Sequence, residues 1–342
     1  MTTRIELYTG TAGHSAWFSQ DLGQTWVHPN SHSGMYLEAR VWSFSSHPAR
    51  PGVLYAGTDI GMFRWQEAAT RWTALPSPMQ DVWAVAQSPD DPDTLYAGAR
   101  PAALYNSEDG GASWTPLPVP GLATFSSINN GPTRVTQILP DPLDRDLLWA
   151  TVEIGGIFLS RDRGRSWSSR VEGLASQDVH GIAALCGPDG RRILLATTNY
   201  GLHRSEDDGR HWTLQRLDSP WQYTRSVVPR ADTDRIVFLT NGNGPPGTDG
   251  RLLRSDDYGA TWRVLPLPGR VNSTVWCVAT HPSDPMFIMA CTNLGQLFRS
   301  ADGGDTWERL PHEFGEVRAL HWRLADIPDN RPAHSITVRQ TS

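Results

Sequence analysis

A chain of 342 residues, 39% hydrophobic and 19% charged, is long enough for two ordinary domains or one larger all-β unit. Its net charge of −6 excludes a broad electrostatic grip on nucleic acid or on an anionic membrane. No run of about 18 apolar residues exists to span a bilayer, and the opening MTTRIELYTG lacks the basic-then-apolar order of a signal peptide.

The first predicted element, IELYTG (5–10), reads as a strand and leads into Ser19-x-Asp21-x-Gly23-x-x-Trp26. That pattern returns at Ser107/Asp109/Gly111/Trp114, Ser160/Asp162/Gly164/Trp167, Ser205/Asp207/Gly209/Trp212, Ser255/Asp257/Gly259/Trp262 and Ser300/Asp302/Gly304/Trp307. A seventh copy, WQEAATRW, keeps only Trp72. Successive tryptophans of this set lie roughly 40–55 residues apart, the length of one four-stranded propeller blade. Within one interval the strands read DVWAVAQ (81–87), TLYAGA (94–99), ALYNS (103–107) and SWTPL (113–117), here strands A to D. Pro, Asp and Gly mark the breaks between them. The Ser-x-Asp turn sits between strands C and D, where the carboxylate caps backbone N–H groups and glycine relieves the backbone. Six near-copies at one topological position argue against a catalytic role for these aspartates.

The chain opens on a strand of type B and ends with EVRALHWRL (316–324), a strand of type A. The expected fold is therefore an all-β, seven-bladed propeller of four-stranded antiparallel blades over 1–324. The C-terminal strand closes it onto the N-terminal blade, and residues 325–342 form a tail.

Propeller topology places the D–A and B–C loops on one face, around the mouth of the central channel. Aligned strand-A starts are Arg40-Val-Trp42, Asp81-Val-Trp83, Arg134-Val-Thr136, Asp178-Val-His180, Tyr223-Thr-Arg225, Thr274-Val-Trp276 and Glu316-Val-Arg318. The central residue reads as packing, and its two neighbours should share a strand face at the mouth. Arg40, Arg134, Arg225 and Arg318 would grip a small anion such as a carboxylate, with Asp59 beside them and Trp42, Trp83 and Trp276 packing its body. His180 is placed to move protons with Glu153 or Glu316, and Tyr223 is a further catalytic candidate. The alternative at the same positions is a channel filled by salt bridges and inter-blade tryptophans, with a protein partner on the rim. Long loops at 28–39 and 241–250 are placed to reach the mouth, the first carrying His32 and Glu38. The eleven histidines are dispersed, so neither a metal nor a cofactor is expected. Cys186, Cys277 and Cys291 read as reduced, buried thiols of a cytoplasmic protein, although Cys277 and Cys291 fall within one blade.

The repeated turns resemble those of the Asp-box (BNR) superfamily, with matches from Ser19 to Trp307. That resemblance spans sialidases, xyloglucan-processing glycosidases, sortilin-type receptors and photosystem II assembly factors, so it is specific for a propeller and unspecific for chemistry. A sialidase would imply three arginines on a sugar carboxylate and a tyrosine nucleophile, for which Tyr223 is available. Sialidases have six blades, however, and the start of this chain carries no Phe-Arg-Ile-Pro-like segment. Xyloglucan-processing enzymes set acids across a cleft between two seven-bladed domains, of which one is present here. The leading expectation from the strand-A residues is a hydrolase or lyase acting by acid–base chemistry on a small anionic molecule in the funnel, glycosidase-like or lactonase-like. The alternative is a non-catalytic protein-binding or assembly scaffold.

Overall fold

In the computed structural model, which describes residues 3–66 and 71–326, the described chain is all β, with no helix. Seven antiparallel sheets stand around a common axis. Their strands A are Val317–Asp326, Val41–Ser46, Asp81–Gln87, Arg134–Pro140, Val179–Cys186, Tyr223–Arg230 and Val275–Ala279, taken here as blades 1 to 7. Each strand A packs on the next, and blade 7 returns to blade 1, so the ring is closed. Blades 2 to 7 have four strands in the order A-B-C-D. In blade 1 the fourth strand shrinks to a single bridge between Phe18 and Val27.

Closure comes from Val317–Asp326 pairing with the first strand, Thr3–Thr11, from Thr3↔Asp326 to Thr11↔Val317. The first and last described strands are thereby joined in one blade, which closes the ring. The tail expected at 325–342 lies outside the described residues from 327 onward, as do residues 67–70 of the degraded seventh repeat.

Seven hydrophobic clusters fill the seven gaps between blades, and each takes in one of the periodic tryptophans. Blade approach is close enough that a Cβ on Gly98 would lie 2.4 Å from the Val135 side chain of the next blade.

All six intact Ser-x-Asp turns share one set of bonds. In blade 4, the Ser160 hydroxyl accepts the Gly164 N–H at 2.7 Å and donates to Asp162 at 2.8 Å. Asp162 in turn accepts the N–H and the hydroxyl of Ser166, at 2.8 and 2.6 Å. The hydroxyl at this last position recurs as Thr25, Ser113, Thr261 and Thr306, with the His211 ring in its place once. Ser113 donating in this way holds Asp109 down to about 2. These bonds belong to a turn, as the repetition implied. Ser160→Ala should cost about 1–2 kcal/mol in urea unfolding, because the Gly164 N–H is buried and loses its acceptor.

Candidate functional site

The middle residue of each strand-A start (Val41, Val82, Val135, Val179, Thr224, Val275, Val317) is fully buried, as packing demands. The residue after it departs from the expected pleat. In all seven blades strand A carries one extra residue at this point relative to strand B. Pairing jumps from Val41 to Ser43, Val82 to Ala84, Val135 to Gln137, Val179 to Gly181, Thr224 to Val227, Val275 to Cys277 and Val317 to Ala319. A bulge releases its residue from the ladder and re-aims the side chain. Trp42, Trp83, Thr136, His180, Arg225, Trp276 and Arg318 therefore form a ring of bulged positions at one end of the channel.

These side chains, with their neighbours, make a circuit through all seven blades. Arg134 lies 4.0 Å over the Trp83 ring, and Trp83 stacks on Trp42 at 4.0 Å and 12°. Arg318 bridges Trp42 and Trp276, at 6.0 and 4.9 Å, and Arg225 covers Trp276 from 4.3 Å. Tyr223 hydrogen-bonds Arg225 and packs 4.9 Å from the His180 ring. His180 donates its Nδ1–H to the Thr224 carbonyl, 2.6 Å away, and its Nε2 is 3.5 Å from Asp178. Asp178 returns to Arg134 through charge attraction. Each guanidinium–indole contact is worth about 0.5–2 kcal/mol, so the circuit is a fastening as well as a lining.

Its charges are largely matched within the chain. Arg134 pairs with Glu153, its cross-strand partner, and Arg318 pairs with Glu316. The expected His180–Glu153 partnership is replaced by His180–Asp178, because Glu153 is committed to Arg134. Asp81 accepts the Trp42 indole N–H at 2.8 Å. Arg225 alone among these three ring arginines makes no ion pair among the described residues, although its charge attracts Asp178. Arg40 and Asp59 stand outside the circuit: Arg40 is exposed, and its backbone N–H donates to Asp59 at 2.8 Å.

Burial lowers the affinity of Arg134 and Arg318 for their protons, a pull that Glu153 and Glu316 oppose and the neighbouring guanidiniums reinforce. Burial would raise the Asp178 carboxyl, but His180, Arg225 and Arg134 outweigh it and leave it below the usual carboxylate range. That is opposite to the raised acid a general-acid mechanism requires. Burial likewise pushes Tyr223 up, against the activation a phenolate nucleophile needs.

Exposed apolar surface collects on the mouth face. Its four most exposed large hydrophobics are Ile128 (82%), Tyr200, Tyr36 and Phe125, all on D–A or B–C loops, and Leu37, Ile60 and Leu294 join them. Phe125 and Ile128 belong to a small hairpin, Phe125–Ser126 with Gly131–Pro132, that sequence reading passed over. The 28–39 loop runs outward instead: Met35 and Ala39 are buried in the blade 1–2 cluster, the Ser33 carbonyl accepts the Trp72 N–H, and His32 and Glu38 are exposed. The 241–250 loop is anchored at the start of blade 7, where the Pro246 carbonyl accepts the Thr274 N–H at 2.9 Å.

No family model matches the sequence. The chain is 27% identical over 310 residues to a xyloglucanase of a Paenibacillus species, covering 75% of this chain and 30% of that protein. It is 24% identical over 302 residues to the photosystem II assembly protein Ycf48 of a Synechococcus species, covering 76% and 81%. Among solved structures, a GH74 enzyme of Niastella koreensis superposes with a TM-score of 0.63 at 20% identity, over 79% of this chain and 45% of the other. YCF48 bound to D1 peptide superposes with a TM-score of 0.53 at 15% identity, over 79% and 81%. The chain spans 30–40% of the length of the first xyloglucanases it matches. It is thus a seven-bladed propeller similar both to GH74 xyloglucanases and to Ycf48.

Proposed function

We propose that this chain is a binding propeller that seats a partner polypeptide across its mouth face, with an acidic side chain of the partner placed on Arg225. The observation that carries this reading is the concentration of exposed apolar side chains on the face whose channel mouth is already occupied by its own paired groups. A hydrolytic pocket needs an enclosed cavity with a poised acid, whereas a docking face needs exposed anchors and a rigid floor. Aliphatic anchors such as Ile128 and Ile60 favour protein over sugar, because they offer no flat face for a pyranose ring. The guanidinium of Arg225 adds a fork suited to a carboxylate. This retains the anionic partner expected from sequence and moves it from a small substrate to a side chain.

The test is selection of displayed peptides on the immobilised chain. Enriched peptides should combine an acidic residue with apolar ones. Ile128→Ser and Tyr200→Ser should each weaken them by about tenfold or more, and Arg225→Met by about thirtyfold. Selected peptides that bind all three variants as well as the wild type, or a library that yields none, would remove the reading.

A second reading is carried by the xyloglucanase similarity: Tyr36, Phe125 and Tyr200 would then act as stacking platforms for a glycan. Calorimetric titration with xyloglucan oligosaccharides, together with assay of reducing ends, separates the two. Saturable binding lost in Tyr200→Ser but retained in Ile128→Ser would favour the glycan.

A further inference from the structure

We infer that Cys277 and Cys291 form an oxidisable dithiol, a modification site directly beneath the mouth ring that closes to an intrablade disulfide. The two residues are direct cross-strand partners, on strand A (Val275–Ala279) and strand B (Ile288–Thr292) of blade 7. Opposed residues of an antiparallel pair lie about 4.5–5.5 Å apart at Cα, with side chains on one face of the sheet. Disulfides accept Cα separations of about 4.4–6.8 Å, so closure needs side-chain rotation and no movement of the strands. The thiols already hydrogen-bond one another.

The pair is asymmetric, as an attacking and a resolving thiol must be. Cys277 is partly exposed, whereas Cys291 is fully buried. The hydrogen bond from Cys291 lowers the Cys277 thiol, against burial and with help from the Arg225 and Arg318 guanidiniums; burial pushes Cys291 up. The reaction is thiol–disulfide exchange with a small disulfide such as oxidised glutathione. The Cys277 thiolate attacks one glutathione sulfur, forming a mixed disulfide and expelling a glutathione thiolate, which takes up a proton. Cys291 then loses its proton, attacks the Cys277 sulfur and expels the second glutathione thiolate. The protein loses two hydrogens, and one oxidised glutathione becomes two reduced ones.

Closure has a structural consequence at the mouth. In the dithiol form Cys277 donates its S–H to the Arg318 carbonyl at 3.4 Å, and Trp276, its neighbour in sequence, is the indole between Arg225 and Arg318. The disulfide deletes that donor at the seam between blades 7 and 1. Cys186 ends strand A of blade 5, opposite Arg192 and with no cysteine across from it, so it serves as an internal control.

The experiment treats the full chain with oxidised glutathione, blocks remaining thiols by alkylation and reads the tryptic peptide 271–299, which contains both cysteines. We expect that peptide to lose about 2 Da and to resist alkylation until reduced. Cys291→Ser should stop at glutathionylated Cys277, and Cys277→Ser should leave Cys291 unmodified. Wild-type protein in which both thiols are alkylated after treatment, or in which glutathione stays on Cys277, overturns the inference. Faster modification of Cys186 than of Cys277 would also overturn it.

Discussion

Replacing Arg323 with methionine should destabilise the fold by about 3–5 kcal/mol, the penalty for removing the buried partner of a buried carboxylate. Arg323 sits on the closing strand, 1% exposed in its side chain, and reaches Glu6, itself 4% exposed, on the chain's first strand at 2.8 Å. The same guanidinium donates to the Tyr8 hydroxyl at 3.1 Å and to the Pro51 carbonyl in the A–B turn of blade 2. Tyr8 in turn donates to Glu6 at 2.7 Å, and Gln20 and Arg4 complete the carboxylate's partners at 2.8 and 2.9 Å. Burial alone would raise the Glu6 carboxyl, yet these donors together hold it below its usual value. One cluster thus ties the first strand, the last strand and the neighbouring blade. Urea unfolding should show a lowered midpoint with an unchanged slope. The double variant Glu6→Gln with Arg323→Met should lose clearly less than the sum of the single changes, because neither partner is then stranded. A loss below about 1 kcal/mol for Arg323→Met would mean that the closure rests on backbone pairing alone.

Local signals made the blade count legible. Strand alternation, Pro-Asp turns and the Ser-x-Asp pattern each act over fewer than ten residues, and the tryptophans set the interval between blades. The bulges were missed because two residues flanking a buried valine were assumed to share a face. A break in the alternation was nevertheless present. Val41 and Phe44, Val82 and Val85, Val135 and Ile138, Val179 and Ile182, Val275 and Val278, and Val317 and Leu320 are each three apart, and both members of each pair pack into the same inter-blade cluster. Only an extra residue in the strand allows this. The hydroxyl four residues after each Ser-x-Asp aspartate was equally visible and went unread. The pairing of Glu153 with Arg134 rather than His180 depends on register, which no local pattern specifies. Nor does a local pattern say that Arg40 would lie outside the ring while Arg134, Arg225 and Arg318 join it, since that is decided by how each strand meets its neighbour.

Acidification should destabilise the protein between about pH 6.5 and pH 4, with buried histidines as the cause. His203, in strand C of blade 5, is fully buried and accepts the Ala175 N–H at Nε2, 3.0 Å away. Burial pulls its pKa down to about 4. His321, on the closing strand, is held at about 3 by burial, with His281 and Arg323 as neighbouring charges, and bonds Ser46 at 2.9 Å. An unfolded histidine takes up its proton as pH falls through about 6.5, while folded His203 stays neutral until about pH 4. Within that window the unfolded state binds more protons, so stability is full above pH 6.5 and falls as the pH drops. For His203 alone the loss accumulates to about 3 kcal/mol by pH 4 and then levels off. Glu6 adds a separate loss below its ordinary range, since its depressed pKa stabilises the fold only while the carboxyl is ionised. His203→Gln offers an amide oxygen to Ala175 and removes the titration. Its unfolding free energy should fall less than that of the wild type between pH 7 and pH 4.5, by a margin of about 2–2.5 kcal/mol. Because Ala175 lies on the segment leading to Asp178 and His180, the same acid step should loosen the mouth before the ring as a whole unfolds. Hydrogen exchange of the 170–178 amides should therefore accelerate at pH 5 in the wild type and much less in His203→Gln. Equal acceleration in both proteins would assign the acid sensitivity to the carboxylates instead.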